Sequence, residues 1–208
     1  MSIDIKVECD PVTHVCTAYV NGVEGLLNAT DVAYLIQKAK DLPPGSKYVE
    51  TGSYLGCSAI LVALHAKDPM VYCHDIWAEN AEYKNYESIN VIPDKEEQYL
   101  YTFYKNVLDN NLERVIIPMR GDSKYTLKIH KDESIDFAFL DGDHSREGVL
   151  ADISVIWPKI KPGGRVAFHD KGMESVERGI RDFLCNISEV DRIYDIKNSN
   201  IVEFVKNV

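Results

Sequence analysis

Apolar positions in this chain fall into two alternating rhythms. Short runs that are apolar at most positions recur at SKYVETG (46–52), MVYCHD (70–75), VIIPMRGD (115–122), SIDFAFLD (134–141) and GRVAFHD (164–170). Runs of that length, rich in Val, Ile, Phe and Tyr, read as strands buried on both faces. Segments with helical spacing separate them. Over 31–40, Val32, Leu35, Ile36 and Ala39 share one face, with Thr30 as the expected cap and Pro43, Pro44 and Gly45 as the stop. GCSAILVALHAK (56–67) is apolar almost all round. A helical pattern runs from Pro93 and Asp94 to about Leu108. Another over 145–160 turns Val149, Ile153, Ile156 and Trp157 inward and closes at Lys161-Pro162-Gly163-Gly164, and a last one spans 174–185. Strands alternating with helices predict a doubly wound, Rossmann-like α/β fold: a mostly parallel sheet with helices on both faces. Pro118 lacks a ladder donor, so its strand belongs at an edge or a bend.

Both ends depart from this alternation. IDIKV and HVCTAYV around Asp10-Pro11 predict a hairpin, so residues 1–28 read as an N-terminal extension of a domain over 29–208. IYDIK, NSN and IVEFV at the other end read as strand, tight turn, strand, which implies one antiparallel edge strand. Residues 76–93 fit neither period and carry Trp77, Tyr83 and Tyr86. A patternless stretch of that length in a compact domain is a functional lid or a mobile segment.

Composition narrows the partners. With 208 residues the chain suits one domain with a sizeable core, and a net charge of −10 without any Lys/Arg cluster argues against nucleic acid. No apolar run is long enough to span a membrane, and MSIDIKVECD lacks the basic and apolar parts of a secretory leader. Cys9, Cys16, Cys57, Cys73 and Cys185 are odd in number and contain no CxxC pair. They are expected to be reduced thiols of a cytoplasmic protein, without a zinc site.

In an open parallel sheet ligands bind beyond the carboxyl ends of the strands. Read in order, those ends carry Glu50, Thr51, Gly52, Ser53 and Gly56; then His74, Asp75, Ile76 and Trp77; then Gly121, Asp122 and Ser123; then Asp141, Gly142, Asp143 and His144; then His169 and Asp170. The first loop has the spacing Gly52-x-x-x-Gly56 in place of G-x-G-x-x-G, and no Lys or Arg to meet a phosphate. Glu50 beside it suits an ammonium or hydroxyl, although the glycines also serve a tight turn. Asp75 lies 23 residues past Gly52, where an acid accepts hydrogen bonds from ribose hydroxyls. Asp122 suits an adenine amino group or, equally, a helix cap. Asp143 or Ser145 is the candidate cap of the next helix.

VETGSYLGCSAI, VYCHDIW, RGDS and FAFLDGDHSREGVLADISVIWPKIKPGGRVAFHD, in that order and spacing, resemble the class I S-adenosylmethionine-dependent methyltransferases. The chain is most similar to the small-molecule O-methyltransferases related to macrolide-sugar methyltransferases and cephalosporin hydroxylases. The resemblance implies a seven-stranded sheet with an antiparallel last strand. It implies that Glu50, Thr51, Gly52, Ser53, Gly56 and Ser58 surround the methionine part of S-adenosyl-L-methionine. Asp75 would bind the ribose, Ile76 or Trp77 would pack on the adenine, and Gly121, Asp122 and Ser123 would lie at its edge. Asp141 would stand between cofactor and substrate. In metal-dependent relatives an acid after the fourth main strand joins two residues after the fifth, here Asp141, His169 and Asp170, around Mg²⁺, with Mn²⁺ or Fe²⁺ admitted by the histidine. Catechol-type relatives have Asp-Asn where this chain has His-Asp.

The expected reaction is metal-assisted methylation of a hydroxyl on a small molecule such as a sugar. Asp141 and His144 are its catalytic candidates, and His144 is placed to accept the hydroxyl proton. His169 is alternatively an orienting residue behind the ligands. A hydroxylase-like metalloenzyme on the same fold is the nearest rival. A nicotinamide-dependent oxidoreductase is disfavoured by the missing G-x-G-x-x-G, and a non-catalytic binding module by the row of acids. Trp77, Tyr83 and Tyr86 are candidates for stacking on the substrate or for a homodimer interface.

Overall fold

The computed structural model describes residues 2–78, 95–187 and 190–208, apart from the side chains of 95–97. Tyr83, Tyr86 and most of the patternless segment lie outside the described residues. The chain opens with β1 (Ile5–Cys9), β2 (Cys16–Val20) and β3 (Val23–Gly25), a small antiparallel sheet. Then come α1 (Ala29–Asp41), β4 (Lys47–Thr51), α2 (Cys57–His65), β5 (Met70–Asp75), α3 (Lys95–Asp109), β6 (Ile116–Arg120), the short α4 (Ser123–Thr126), β7 (Ile135–Leu140) and α5 (Arg146–Ile156). The chain closes with β8 (Ile160–Phe168), α6 (Glu174–Leu184), β9 (Val190–Asp195) and β10 (Val202–Lys206).

The main sheet has seven strands in the order β6-β5-β4-β7-β8-β10-β9. From β6 to β8 all pairs are parallel, and β10 is antiparallel to both its neighbours. Pro118 does lie on an edge strand, β6. The antiparallel strand, however, is not the edge. β10 inserts between β8 and β9 because it is the apolar member of the hairpin, buried over Glu203–Lys206, whereas β9 is exposed from Asp191 onward. Side chains alternate between faces, as Tyr48 and Val49 do on β4. They feed one core under α1, α2 and α3 and another under α5 and α6. Each fully buried Phe or Leu contributes about 1.5–3 kcal/mol. α2 is apolar all round because it is covered twice: Ala18, Val20 and Val23 of the small sheet pack in the same core as its Ile60 and Leu61.

Three local expectations change. α1 is capped by Asn28, not Thr30. The Asn28 side chain accepts from the Thr30 and Asp31 N–H groups, and Asp31 accepts from the Asn28 N–H in return, a reciprocal capping box. Lys161–Gly164 does not end a helix but bulges inside β8. Ile160 pairs with Ile135, and the register resumes at Arg165 opposite Phe137. Cys9 and Cys16 are not reduced thiols. They face each other in register across β1 and β2, with Cα atoms 4.0 Å apart, and form a disulfide. Spacing alone hid the pair, because only the hairpin register makes it. With that pair bridged, the cysteines no longer argue for a reducing compartment. Cys57 and Cys73 remain free and buried, and Cys185 free and exposed. Among the described residues no helix is long and apolar enough to cross a membrane.

Candidate functional site

The parallel strands bring their carboxyl ends to one edge, and Glu50, Gly52, Asp75, Asp122, Asp141 and Asp170 lie at or just beyond those ends. After β4 the chain turns through Gly52 (φ +75°) and reaches α2 through Gly56 (φ +91°), a left-handed N-cap where a Cβ would press on the Phe103 ring at 3.1 Å. Glu50 is buried and accepts from the Tyr48 hydroxyl at 2.8 Å. Burial pushes its carboxyl up to about 7 against these hydrogen bonds. The hydroxyls of Thr51 and Ser53 are buried, Thr51 beside Asp152 and Ser53 beside Glu50, and Ser58 is half-buried in the first turn of α2. A loop with buried hydroxyls beside an acid can take an ammonium from a ligand.

Asp75 ties this loop to the next. Its carboxylate accepts from the Tyr54 N–H at 2.8 Å and the Trp77 N–H at 2.6 Å, and burial raises its pKa. Trp77 turns away from the edge into the core. Its ring centroid lies 4.7 Å from that of Phe103 and its indole N–H donates to the Tyr54 carbonyl. Ile76, half-buried, is the member of that pair left at the edge. After β6 and Gly121, Asp122 caps α4 through the Lys124 N–H at 3.0 Å and pairs with the Lys124 ammonium at 2.6 Å. The Ser123 hydroxyl donates to Asp152 at 2.5 Å. Asp152, buried in α5 with its carboxyl pushed up to about 6 by burial, is an edge residue the sequence did not signal, since it sits mid-helix in an inward register.

His74 and His130 face each other with their Nε2 atoms 3.0 Å apart, so one donates and the other accepts. Burial lowers His74 to about 3, helped by His130, and lowers His130 to about 4, helped by Lys47 and Lys159. Unfolded histidines take up protons below about 6.5 that this pair refuses, so its contribution to stability falls as pH drops from about 6.5 towards 4. Glu50 and Asp152, raised in the fold, act in the opposite sense over that window. The test is therefore a comparison. Urea midpoints of wild type should lose more between pH 6.5 and 4.5 than those of a His74→Gln, His130→Gln double variant. Parallel curves would remove the pair from the acid response.

The fourth and fifth ends meet. Ser145 caps α5 by accepting from the Gly148 N–H, and Asp143 accepts from the Ser145 N–H, so both candidate caps are used in the turn. Asp141, His144 and Asp170 point at one another. His144 Nε2 lies 3.3 Å from Asp141 Oδ1 and 3.2 Å from Asp170 Oδ2. One donor atom from each of the three lies within 4.8 Å of the others, half-buried at the edge. His169 does not stand in that convergence. It is 4% exposed and held from both sides, Nδ1 at 3.2 Å from Asp141 and 3.4 Å from Asp170, Nε2 at 3.2 Å from Asp31. Of the expected set Asp141, His169 and Asp170, the two carboxylates converge with His144, while His169 faces carboxylates at both ring nitrogens. Burial opposes its charge, but Asp141, Asp170 and Asp31 overcome that and raise its pKa well above the usual histidine range. Asp31 itself was legible only as a residue of the first turn of α1.

Bonds of about 2.1 Å to one cation separate neighbouring ligand atoms by about 3.0–3.4 Å, so the His144 contacts fit a shared cation. Two carboxylates and an imidazole suit Mn²⁺ or Fe²⁺ at least as well as Mg²⁺.

The methyltransferase domain family matches residues 49–171, more than half of the chain. No curated protein matches the sequence. Among solved structures, the O-methyltransferase NovP is similar with a TM-score of 0.69 at 16% identity, over 88% of this chain and 82% of that one. The O-methyltransferase TomG from Streptomyces achromogenes, involved in tomaymycin synthesis and solved with S-adenosylmethionine, gives 0.63 at 14%, over 87% and 81%. An O-methyltransferase from Bacillus cereus, solved with S-adenosylhomocysteine, gives 0.62 at 18%, over 86% and 82%. At these identities the likeness is one of fold.

Proposed function

The chain belongs to the methyltransferase domain family and is an S-adenosylmethionine-dependent methyltransferase, and from that premise we propose that it methylates a hydroxyl of a small molecule, such as a sugar, with the help of a divalent cation. The observation that carries the proposal is the convergence of Asp141, His144 and Asp170 at the edge where the Gly52 loop waits for a cofactor. The O-methyltransferases among its structural neighbours agree with it, and the net charge of −10 favours a small acceptor over a polyanion.

The residues fit the cofactor. When bound, S-adenosylmethionine supplies a methyl group on a sulfonium. Glu50 and the Ser53 hydroxyl would take the polar end of its methionine part, and Asp75 its ribose hydroxyls on lone pairs not used by Tyr54 and Trp77. Ile76 would cover one face of the adenine, with Asp122 near its edge. A bound divalent cation would lower the pKa of the acceptor hydroxyl and fix its place. Asp141, His144 and Asp170 would hold it, and their fixed geometry would line the acceptor oxygen up for in-line transfer. Without a cation, the His144 imidazole is the candidate to take the hydroxyl proton; the two uses of His144 compete and make opposite demands on a chelator.

Calorimetry should show binding of S-adenosylhomocysteine and none of NADH. Mn²⁺ should bind to the S-adenosylhomocysteine complex, and EDTA should stop methyl transfer to hydroxylated acceptors. Binding of NADH in place of S-adenosylhomocysteine would overturn the cofactor reading. Full transfer in EDTA would overturn the metal and leave His144 as the base.

A further inference from the structure

Asp31 belongs to none of the strand ends, yet it reaches them. It sits in the first turn of α1 at 0% exposure, and both carboxylate oxygens are committed. Oδ1 accepts from the Ser199 hydroxyl at 2.5 Å and the Asn200 N–H at 2.9 Å, both in the turn between β9 and β10. Oδ2 accepts from the Asn28 N–H at 3.0 Å and faces His169 Nε2 at 3.2 Å. A capping box uses only the Asn28 contact. The rest of this network exceeds what the helix needs.

His169 carries the network onward. Both of its ring nitrogens face carboxylates, which only accept, so both donate. The ring is thereby fixed in plane and position, and its Nδ1–H pins Asp141 Oδ1 and Asp170 Oδ1. The turn that holds Asp31 also grips the residue after Asp170: the Lys171 N–H donates to the Asn200 carbonyl at 3.0 Å, and the Lys171 ammonium to the Ile196 carbonyl at 2.7 Å.

We propose that Asp31 is a positioning residue for the edge site: anchored by Ser199 and Asn200, it fixes His169, and His169 sets the carboxylates of Asp141 and Asp170 in the orientation that lets them converge with His144. Its effect on metal binding rests on the metal reading above; the hydrogen-bond chain from Asp31 to Asp141 does not. The C-terminal hairpin thus serves the site as well as the sheet.

Mn²⁺ alone is the probe, read by calorimetry. Outer partners of metal ligands typically change affinity about 10–100-fold. Asp31→Asn and His169→Gln should each weaken Mn²⁺ binding on that scale. Because Asp31 acts through His169, the double variant should be no weaker than His169→Gln alone. Losses that multiply, or an unchanged affinity in Asp31→Asn, would overturn the proposal. Nuclear magnetic resonance gives a second readout. Wild type should show two low-field imidazole N–H signals from His169, and Asp31→Asn should lose the Nε2–H signal and shift the Asp141 carboxyl carbon. If Asp31→Asn does not fold, Ser199→Ala takes its place: a several-fold loss of Mn²⁺ affinity that disappears in the His169→Gln background supports the proposal, and an equal loss in both backgrounds overturns it. If wild type takes up no Mn²⁺, the metal reading falls alone, and the resonance experiment decides: an Asp141 signal unmoved in Asp31→Asn or Ser199→Ala would overturn the positioning role.

Discussion

Asp141→Asn is expected to abolish Mn²⁺ binding and to lower methyl transfer about a hundredfold or more, in a chain that still folds and still binds S-adenosylhomocysteine. Asp141 joins three parts of the site: His144 at 3.3 Å, His169 at 3.2 Å, and the Gly52 loop through its backbone. Burial pushes its carboxyl up, but the imidazoles of His169 and His144 pull harder and bring it down to about 2. It is therefore an anion at any working pH. Its contribution to stability is present above about pH 4 and is lost as pH falls through about 2. Asparagine keeps the shape and one acceptor but removes the charge. Polarisation by a cation is worth several kcal/mol, and each 1.36 kcal/mol is a factor of ten. The cost to the fold should be smaller, about 1–3 kcal/mol, because His169 keeps Asp31 and Asp170 as partners. Unaltered Mn²⁺ affinity and turnover would take Asp141 out of the mechanism. His144→Ala separates the two uses of His144: a ligand loses Mn²⁺ affinity with turnover, a base loses turnover alone.

What could be read from sequence divides along physical lines. Strands buried on both faces announce themselves by uninterrupted Val, Ile and Phe. The parallel core and the row of acids at its edge were therefore legible from Glu50, Asp75, Asp141 and Asp170 in their places after apolar runs. Pairings between distant segments carry no such mark. The Cys9–Cys16 bridge, the insertion of β10 inside the sheet and the contact of Asp31 with His169 across 138 positions all depend on register and on which side of a helix faces inward. His169 shows the difference most sharply. Its position in the chain matches a ligand, but only the fold shows that Asp31 faces its second nitrogen and that His144 also stands beside the two carboxylates. Trp77 was misleading in a simpler way. A Trp after a strand suggests a stacking platform, yet its bulk is worth more against Phe103 in the core than on a wet edge.

Gly52→Ala is expected to be the most destabilising single substitution at the edge. The backbone that Gly52 lies closest to is that of Asp141 and Gly142. A Cβ there would lie 1.8 Å from the Asp141 carbonyl oxygen, 2.5 Å from its carbon and 2.9 Å from the Gly142 Cα. All three are backbone atoms, so no side chain can rotate away. At φ +75° a non-glycine residue also carries a left-handed penalty of about 1–2 kcal/mol. Overpacking against a rigid neighbour adds about 1–3 kcal/mol. The sum, about 2–5 kcal/mol, is a large part of the stability of an ordinary domain. Relief can come only by parting the ends of β4 and β7, held there by the Asp141 N–H to Thr51 carbonyl bond at 3.1 Å, and that parting moves Asp141 away from the first loop. Loss of stability and loss of S-adenosylhomocysteine binding should therefore appear together. Gly45→Ala is the control: its φ is +77°, nearly the same, but nothing lies within 4 Å of the added Cβ, so it should cost only the conformational part. Urea unfolding of the two variants side by side isolates the contact. If Gly52→Ala is no less stable than Gly45→Ala, the close packing of the first loop on Asp141 is not what the glycine is for.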